Sequence, residues 1–467
     1  LKEAGLPSDG RDESWRVFWA ARDPNPATEV NERLVEHYRR VTFARTQFFR
    51  GQFPWDRRGE IYVRYGEPDD RARFVAVGGE GRTTRPIVNP QVDGVRARNA
   101  NWQYHLFTGT GAVASSYSLV GFKAESSVYV EHELELFFVD QLGVEKFDYP
   151  LEQVGFVGQD TFHPRKMAQE LIKKMPNFYD YGGETPLVAA VVVVTYKGEE
   201  GLTEVEAEWS LPVGQLAVAE ESGERMALVE SRFALRDRQY RWVKAISDTT
   251  DPIARPAFVS KKRKDAVDGP SHVASMRLDA KPGIYRSALS IEELSSRRTA
   301  LLENPVDIPD YTADTLNISG LRLAASIKPA DGPGRFVRQG LEIVPNPSRV
   351  YGPSEPVFLY YEVYHLTPDS TNRYRFHTQI EIAGKTRNQG ILKRTLNGLG
   401  RLFAPPKSEA SIVYTFEDAG TDSTVYKFTS LDTDGLPEGA YTLIVTVINP
   451  VTGVHTDQAA EFSVQKR

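Results

Sequence analysis

TEVEAEWSLPVGQL, residues 203–216, and EPVFLYYEVYHLTPD, residues 355–369, share one grammar: an alternating strand followed by a turn. A second pair lies further on in each half. KPGIYRSALSIEE (281–293) and LPEGAYTLIVTVINP (436–450) each run Pro, Gly, then a Tyr that opens a strand of alternating residues. Alternation with period two marks a strand whose faces meet different surroundings, and regularly spaced turns between such strands mark all-β packing. The same supersecondary pattern occurring twice predicts tandem immunoglobulin-like β-sandwiches, over 183–330 and 335–467. AASIKPADGPGRFVRQG (324–340), rich in Gly, Pro and charge, reads as the connector between them.

Working back toward the N-terminus, the pattern changes. SWRVFWAAR (14–22) places Trp15, Phe18 and Trp19 on one helical face and is stopped by Asp23-Pro24-Asn25-Pro26. Thr28 is positioned to cap a second helix, whose Val30, Leu34, Tyr38, Val41, Ala44 and Phe48 form a stripe at helical spacing. Glu32, Glu36, Arg39 and Arg40 occupy its other face. The two helices read as a helical hairpin. In RGEIYVRYGEPD (58–69), Ile61, Val63 and Tyr65 alternate as in a strand that ends at a Gly66 turn. A polar loop (roughly 77–98), the strand-like WQYHLF (102–107) and the strand HELELFFVD (132–140) follow. The expected fold of 1–160 is therefore α+β, a helical hairpin on a small antiparallel sheet. PRKMAQELIKKM (164–175) supplies a helix within a connector at 161–182.

The order of these pieces resembles the GWxTD-domain proteins, a bacterial family. The resemblance runs through RDPNP (22–26), HYRRVTFA (37–44), RGEIYVRYGEPD, YKGEEGLTEVEAEWSLP (196–212) and LYYEVYHL (359–366). The naming motif is degenerate: Trp55 and Arg58-Gly59 are present, but Asp56-Arg57 stand where Thr-Asp is expected. The resemblance implies an extracytoplasmic protein with trailing β domains and no established activity.

Composition narrows the function classes. The 467 residues suffice for about three domains. Charged residues make up 26% and hydrophobic residues 40%, the balance of a folded chain. A formal net charge of −6, spread along the sequence, implies no general affinity for nucleic acid. There is no cysteine, which excludes disulfides, thiolate metal sites and cysteine nucleophiles, and fits an exported bacterial protein. No window approaches the ~20 apolar residues of a membrane span, so a signal peptide or lipid anchor would lie upstream of Leu1.

Motifs with chemistry are sparse. His132-Glu133 does not continue to a zinc-protease helix motif, because position 136 is Leu. VGGEG (77–81) lacks the Lys of a phosphate loop, and no serine has a nucleophile-elbow setting. Glu67, Asp69 and Asp70 offer oxygens to calcium but lack EF-hand spacing, and KKRK (261–264) reads as a solvated loop. The densest constellation is FPWDRRGEIYVRYGEPDD (53–70). Trp55, Asp56 and Arg58, with Trp102 and Tyr104, are the candidate binding residues: aromatics to stack on a sugar ring, carboxylates to hold hydroxyls. The same residues serve folding if the Trp packs on the helices and the Arg pairs with an acid. The expected function is a non-enzymatic scaffold or interaction protein of the bacterial envelope, with protein partners or self-assembly and no cofactor or metal. The alternative is a glycan- or peptide-binding protein, or a hydrolase, with its site in the N-terminal domain.

Overall fold

The computed structural model describes residues 11–51, 54–75, 89–97, 122–149, 164–174, 179, 186–217, 219–221, 224–250, 253–254, 270–384 and 411–465. These fall into two compact units. One is Val30–Gly182 with Arg22–Pro24; the other is Gly183–Arg467 with the chain before Arg22 and with Asn25–Glu29. The described helices are α1 (Arg11–Ala20), α2 (Glu32–Phe48), α3 (Arg57–Tyr65), α4 (90–97) and α5 (Pro164–Lys174).

In the smaller unit, β1 (Asp70–Val75), β2 (Lys123–Tyr129) and β3 (Leu134–Asp140) form an antiparallel sheet in sequence order. All seven residues of β3 are buried. Ile61 and Tyr65 of α3 pack on Tyr129, Leu134, Leu136 and Phe138, together with Ala168 of α5. Val92 and Val95 of α4, within the stretch read as a polar loop, bury against Val128. Asn89 accepts from the Gln91 amide at that helix start.

Two expectations for this unit are corrected. The alternation at 60–65 is helix, not strand. Among its buried residues Arg58, Ile61, Tyr62 and Tyr65 are spaced by three, one and three, which only a helix brings to one face. Asp56 caps its start, and Gly66, at φ +82°, ends it by donating its amide to the Tyr62 carbonyl. The supposed helical hairpin also dissolves. α1 groups with the larger unit, and α2 packs instead with α3, through Ala44, Phe48 and Tyr62. The cap of α2 is Asn31, not Thr28, whose hydroxyl donates to the Asn25 carbonyl. Its buried face is also more cationic than the stripe suggests. Arg33 and Arg40 are buried against the Tyr179 ring, while Val30 and Tyr38 are exposed.

Among the described residues, the regular structure of the larger unit is strand apart from α1 and one short 3-10 turn. Its first part comprises β4 (Ala190–Lys197), β5 (Thr203–Pro212), β6 (Ala219–Glu221), β7 (Glu224–Ala227), β8 (Val229–Arg236), β9 (Trp242–Thr249), β10 (Ile253–Ala254), β11 (Ser271–Ala280), β12 (Gly283–Glu293) and β13 (Thr299–Ile308). A three-stranded sheet, β11-β5-β4, faces a four-stranded one, β13-β12-β8-β9. Val205, Ala207, Trp209 and Leu211 from the first meet Phe233, Leu289 and Ile291 from the second in one core. α1 sits on this part: Glu13 pairs with Arg241 at 2.9 Å, and Arg16 donates to the Gln239 carbonyl.

The second part comprises β14 (Asn317–Ile318), β15 (Arg322–Pro329), β16 (Val337–Arg338), β17 (Leu341–Pro345), β18 (Val350–Tyr351), β19 (Val357–Tyr364), β20 (Tyr374–Gly384), β21 (Ser411–Gly420), β22 (Val425–Leu431), β23 (Gly439–Ile448) and β24 (His455–Val464). β15 and β22 flank β19 in one sheet, which β17 and β16 extend; β18-β24-β23-β20-β21 is the other. Leu359, Tyr361 and Val363 pack on Ile380, Ile382, Leu443 and Val445 between them. The run 324–340, read as a connector, is built into this sheet as β15 and β16.

The paired sequences occupy equivalent places. β5 and β19 are each flanked on both sides in one sheet, and β12 and β23 in the sheet opposite. At the start of β12 the Tyr285 hydroxyl donates to the Lys281 carbonyl at 2.9 Å. At the start of β23 the Tyr441 hydroxyl donates to the Pro437 carbonyl at 2.6 Å. The two sandwiches then meet sheet on sheet. Val194 and Tyr196 of β4 pack on Ala324, Leu341, Ile343 and Tyr360 of the second.

Candidate functional site

The constellation around Trp55 begins as a helix cap. Asp56 sits in extended conformation ahead of α3, and its Oδ1 accepts from the Arg58 amide. Its Oδ2 accepts from the Arg58 guanidinium at 2.7 Å and from the Phe147 amide at 3.2 Å. Arg58 reaches on to Glu125 of β2 at 3.0 Å, and the Phe147 ring lies 3.9 Å from its guanidinium. Arg73 and Arg71 also pair with Glu125, at 2.7 and 3.5 Å. Asp56, Arg58 and Glu125 are all buried. The arrangement holds α3 to the sheet through charge-assisted bonds. Both Asp56 oxygens are committed, so this carboxylate has no oxygen left for a substrate.

Trp55 is half-buried and packs directly on Gly59, where a Cβ would stand 2.4 Å from the indole. Its open side, with Arg57, Glu60, Lys146 and Asp148, lines a cleft of about 250 Å³. Arg57 is spanned by Glu60 at 2.6 Å and Asp148 at 3.2 Å. Lys146 makes no ion pair among the described residues. Trp102 and Tyr104 lie outside the described residues, as does KKRK (261–264).

The acidic turn after α3 is distributed rather than convergent. Glu67 pairs with Arg71, Asp70 with Arg96, and Asp69 accepts from the Val130 amide at 2.7 Å. Among the described residues no group of three or more His, Asp or Glu side chains is placed to hold a metal ion. No described helix is long and apolar enough to cross a membrane.

Two features of the larger unit were not singled out by sequence reasoning. One is a set of edge strands. β21 and β22 are each paired on one side only among the described residues, and they expose Val413, Phe416, Tyr426 and Phe428. The other is a charged layer between the sandwiches. Arg322 pairs with both Glu206 and Glu208, and none of the three exposes more than 2%. Arg338 pairs with Glu362 at 2.6 Å and with Glu204 at 2.5 Å, its guanidinium 3.6 Å from the centre of the Tyr196 ring. Burial, the largest influence, pushes the Glu208 carboxyl up to about 7 against the opposing pull of Arg322. The sequence signal was present in retrospect. β5 carries Glu at every second position and β19 carries aromatics on both faces, which suits strands covered on both sides.

No family model matches this chain, and no curated protein matches it. Among solved structures, it aligns with Escherichia coli alpha-2-macroglobulin activated by porcine elastase at 7% identity and a TM-score of 0.19. The alignment covers 74% of this chain and 26% of that one, so the chain spans about a quarter of its length. Likeness at that level carries no argument about fold or function.

Proposed function

We propose that this chain is a non-enzymatic scaffold or interaction protein of the bacterial envelope, acting outside the cytoplasm through two immunoglobulin-like modules behind a GWxTD-like α+β head. The observation that carries the reading is the pair of edge strands β21 and β22. Phe428 is 51% exposed on a strand whose outer backbone edge has no described neighbour. An unpaired edge invites strand addition, and exposed aromatics beside it supply the pockets that select the incoming side chains. The partner is an extended segment of another protein or a second copy of this chain. The module type is supported by three strands facing four in the first sandwich and by the two tyrosines. A Tyr at the start of the penultimate strand, bonded to the backbone a few residues upstream, is a hallmark of immunoglobulin-like sandwiches. The lack of cysteine and the family resemblance support the compartment.

The test is isolation of the native protein from mildly solubilised envelope. A stoichiometric complex or homopolymer, lost in a Phe416→Lys/Phe428→Lys variant that keeps its β-sheet signature, supports the reading. A lone monomer overturns it.

A second reading has its own observation. The cleft at Trp55 offers an aromatic face beside the Lys146 ammonium, which makes no ion pair among the described residues; this suits an anionic sugar or a peptide carboxylate. It supports binding rather than hydrolysis, because Asp56 is consumed by Arg58 and Phe147. Lys146→Glu abolishes calorimetric binding of acidic oligosaccharides or carboxyl-terminal peptides if this reading holds.

A further inference from the structure

Several sheet edges of the larger unit are guarded. β9 is bulged where Leu235 and Arg236 meet Lys244 and Trp242, and β13 holds Pro305. β16 and β18 are two residues long. The edge of β4 is engaged at its far end, where Thr195 accepts from the Gly320 amide and Lys197 donates to the Tyr364 hydroxyl. Bulges, prolines, short strands and covering groups all stop an edge from pairing with another chain. β22 has no proline, no bulge and no covering group among the described residues, and its seven residues pair with β19 without a register shift. Its single charge, Lys427, is met by Asp418 at 2.6 Å.

The flank that β22 borders is also left open. Phe416 of β21 lies opposite Thr378, in line with the core residues Phe376 and Ile380 of β20, so its ring is on the core side of the sheet. It is nevertheless 40% exposed. Tyr426 and Phe428 of β22 lie opposite Glu362 and Tyr360, on the other face of their sheet, and are exposed as well. Aromatics left open on both faces of one flank mark a surface that another chain covers.

Side-chain parity restricts what pairs with β22. Tyr426, Phe428 and Ser430 share one face, and Val425, Lys427, Thr429 and Leu431 the other. A second β22 keeps these faces matched only where even positions meet even ones. Phe428 is the midpoint of Val425–Leu431, so a two-fold axis there is the one antiparallel register of this kind that matches all seven residues. It sets Phe428 against itself, Tyr426 against Ser430, Lys427 against Thr429 and Val425 against Leu431. Large meets small, apolar meets apolar, and no like charges are opposed, which is what favourable cross-strand pairing requires. An axis at Lys427 would instead bring two ammoniums face to face.

We propose that the occupant of this edge is a second copy of this chain, its β22 paired antiparallel with the first about a two-fold axis at Phe428. The two sheets then run on as one. Because the contact consumes the same edge in both copies, assembly through it stops at a dimer. The inference rests on the strand-addition reading above and narrows it to one partner and one register.

The test uses the purified full chain in sedimentation equilibrium. The wild type is expected to approach the mass of two chains as its concentration rises. Phe428→Lys and Phe428→Glu are each expected to stay single, because like charges then meet at the axis, and an equal mixture of the two is expected to recover the dimer. A wild type that stays single at every concentration overturns the proposal. If a different protein from the envelope is then lost on Phe428→Lys, strand addition stands with that partner; if none is, both readings fall. Variants that keep their β-sheet signature but do not associate on mixing overturn the two-fold register. A second measurement leaves Phe428 in place and exploits the absence of cysteine. Tyr426→Cys mixed with Ser430→Cys is expected to oxidise to a cross-linked pair, whereas neither alone does, since like positions then lie about 14 Å apart along the strands. Cross-linking of either variant alone as readily as the mixture overturns the register.

Discussion

Arg322, at the start of the second sandwich, closes an ion pair with Glu206, in the middle strand of a sheet of the first, and both side chains are shut off from solvent. The pair belongs to the joint rather than to either sandwich core. Its removal leaves the two buried carboxylates with only Arg277, 3.3 Å from Glu206, and Arg349, which faces Glu208, beside them. Arg322→Met is expected to destabilise the larger unit by about 3–5 kcal/mol, as for other broken buried pairs. Removing the surface pair partner with Lys328→Met should cost under about 1 kcal/mol. Urea unfolding of both variants makes the comparison. Equal losses would show that the buried layer contributes no more than a rim contact.

Glu13 and Arg241 set the acid limit of α1 docking. The Arg16 side chain, with Arg241 opposing the smaller effect of burial, holds the Glu13 carboxyl down to about 2. A depressed folded pKa contributes stability above the unfolded value of 4.5 and loses it as the pH falls toward 2. The amides of α1 should therefore lose hydrogen-exchange protection across that window. Glu13→Gln should show low protection already above it, with no further loss on acidification. Protection of α1 that is independent of both pH and this substitution would place its anchorage in the buried Trp19 instead.

The sandwiches were legible because strand periodicity and turn residues are local signals, and the Pro, Gly, Tyr openings at 281–285 and 436–441 repeat a local geometry. The joint was not, because alternation says only that two faces differ. In β5 the second face holds glutamates that a single sandwich would leave wet; a second sheet, over a hundred residues away in sequence, buries them. Residues 324–340 misled for a related reason. Gly, Pro and charge mark a turn, and the turn lies inside a sheet whose Arg338 then serves the joint. At 60–65 the error was one of period. Ile61, Val63 and Tyr65 satisfy a period of two, but the cap at Asp56 and the stop at Gly66 frame a helix. Around Trp55 the sequence marked a dense cluster, yet Glu125, the partner of Arg58, is far off in sequence and its role depends on register.

Gly59 and Trp55 are expected to be coupled. A methyl group at 59 would stand 2.4 Å from the indole, a distance no real contact shows, so Gly59→Ala must displace the ring or the helix. The cost should be about 1–3 kcal/mol, typical of overpacking. In a Trp55→Gly background, which removes both the indole and the Cβ that would stand 2.6 Å from the new methyl, the cost of the same substitution should fall to near zero or reverse sign through helix propensity. A double-mutant cycle by urea unfolding measures the coupling. Additive losses would mean that Gly59 is required by its backbone and not by the indole.

The two upstream tyrosine bonds provide a check on whether the sandwiches are built alike. Tyr285→Phe and Tyr441→Phe each delete one hydroxyl donated to a carbonyl four residues upstream and leave the ring in place. A single neutral hydrogen bond contributes about 1 kcal/mol net, and more where the abandoned carbonyl is shielded from water. Tyr441 is buried and Tyr285 is half-exposed, so the loss at 441 should be the larger of the two. Thermal unfolding should therefore rank the variants wild type, Tyr285→Phe, Tyr441→Phe in falling midpoint, with the double variant additive because the sites share no partner. A reversed order would mean that solvent exposure does not govern these bonds. A neutral outcome at both positions would reduce them to consequences of the Pro and Gly turns that precede them.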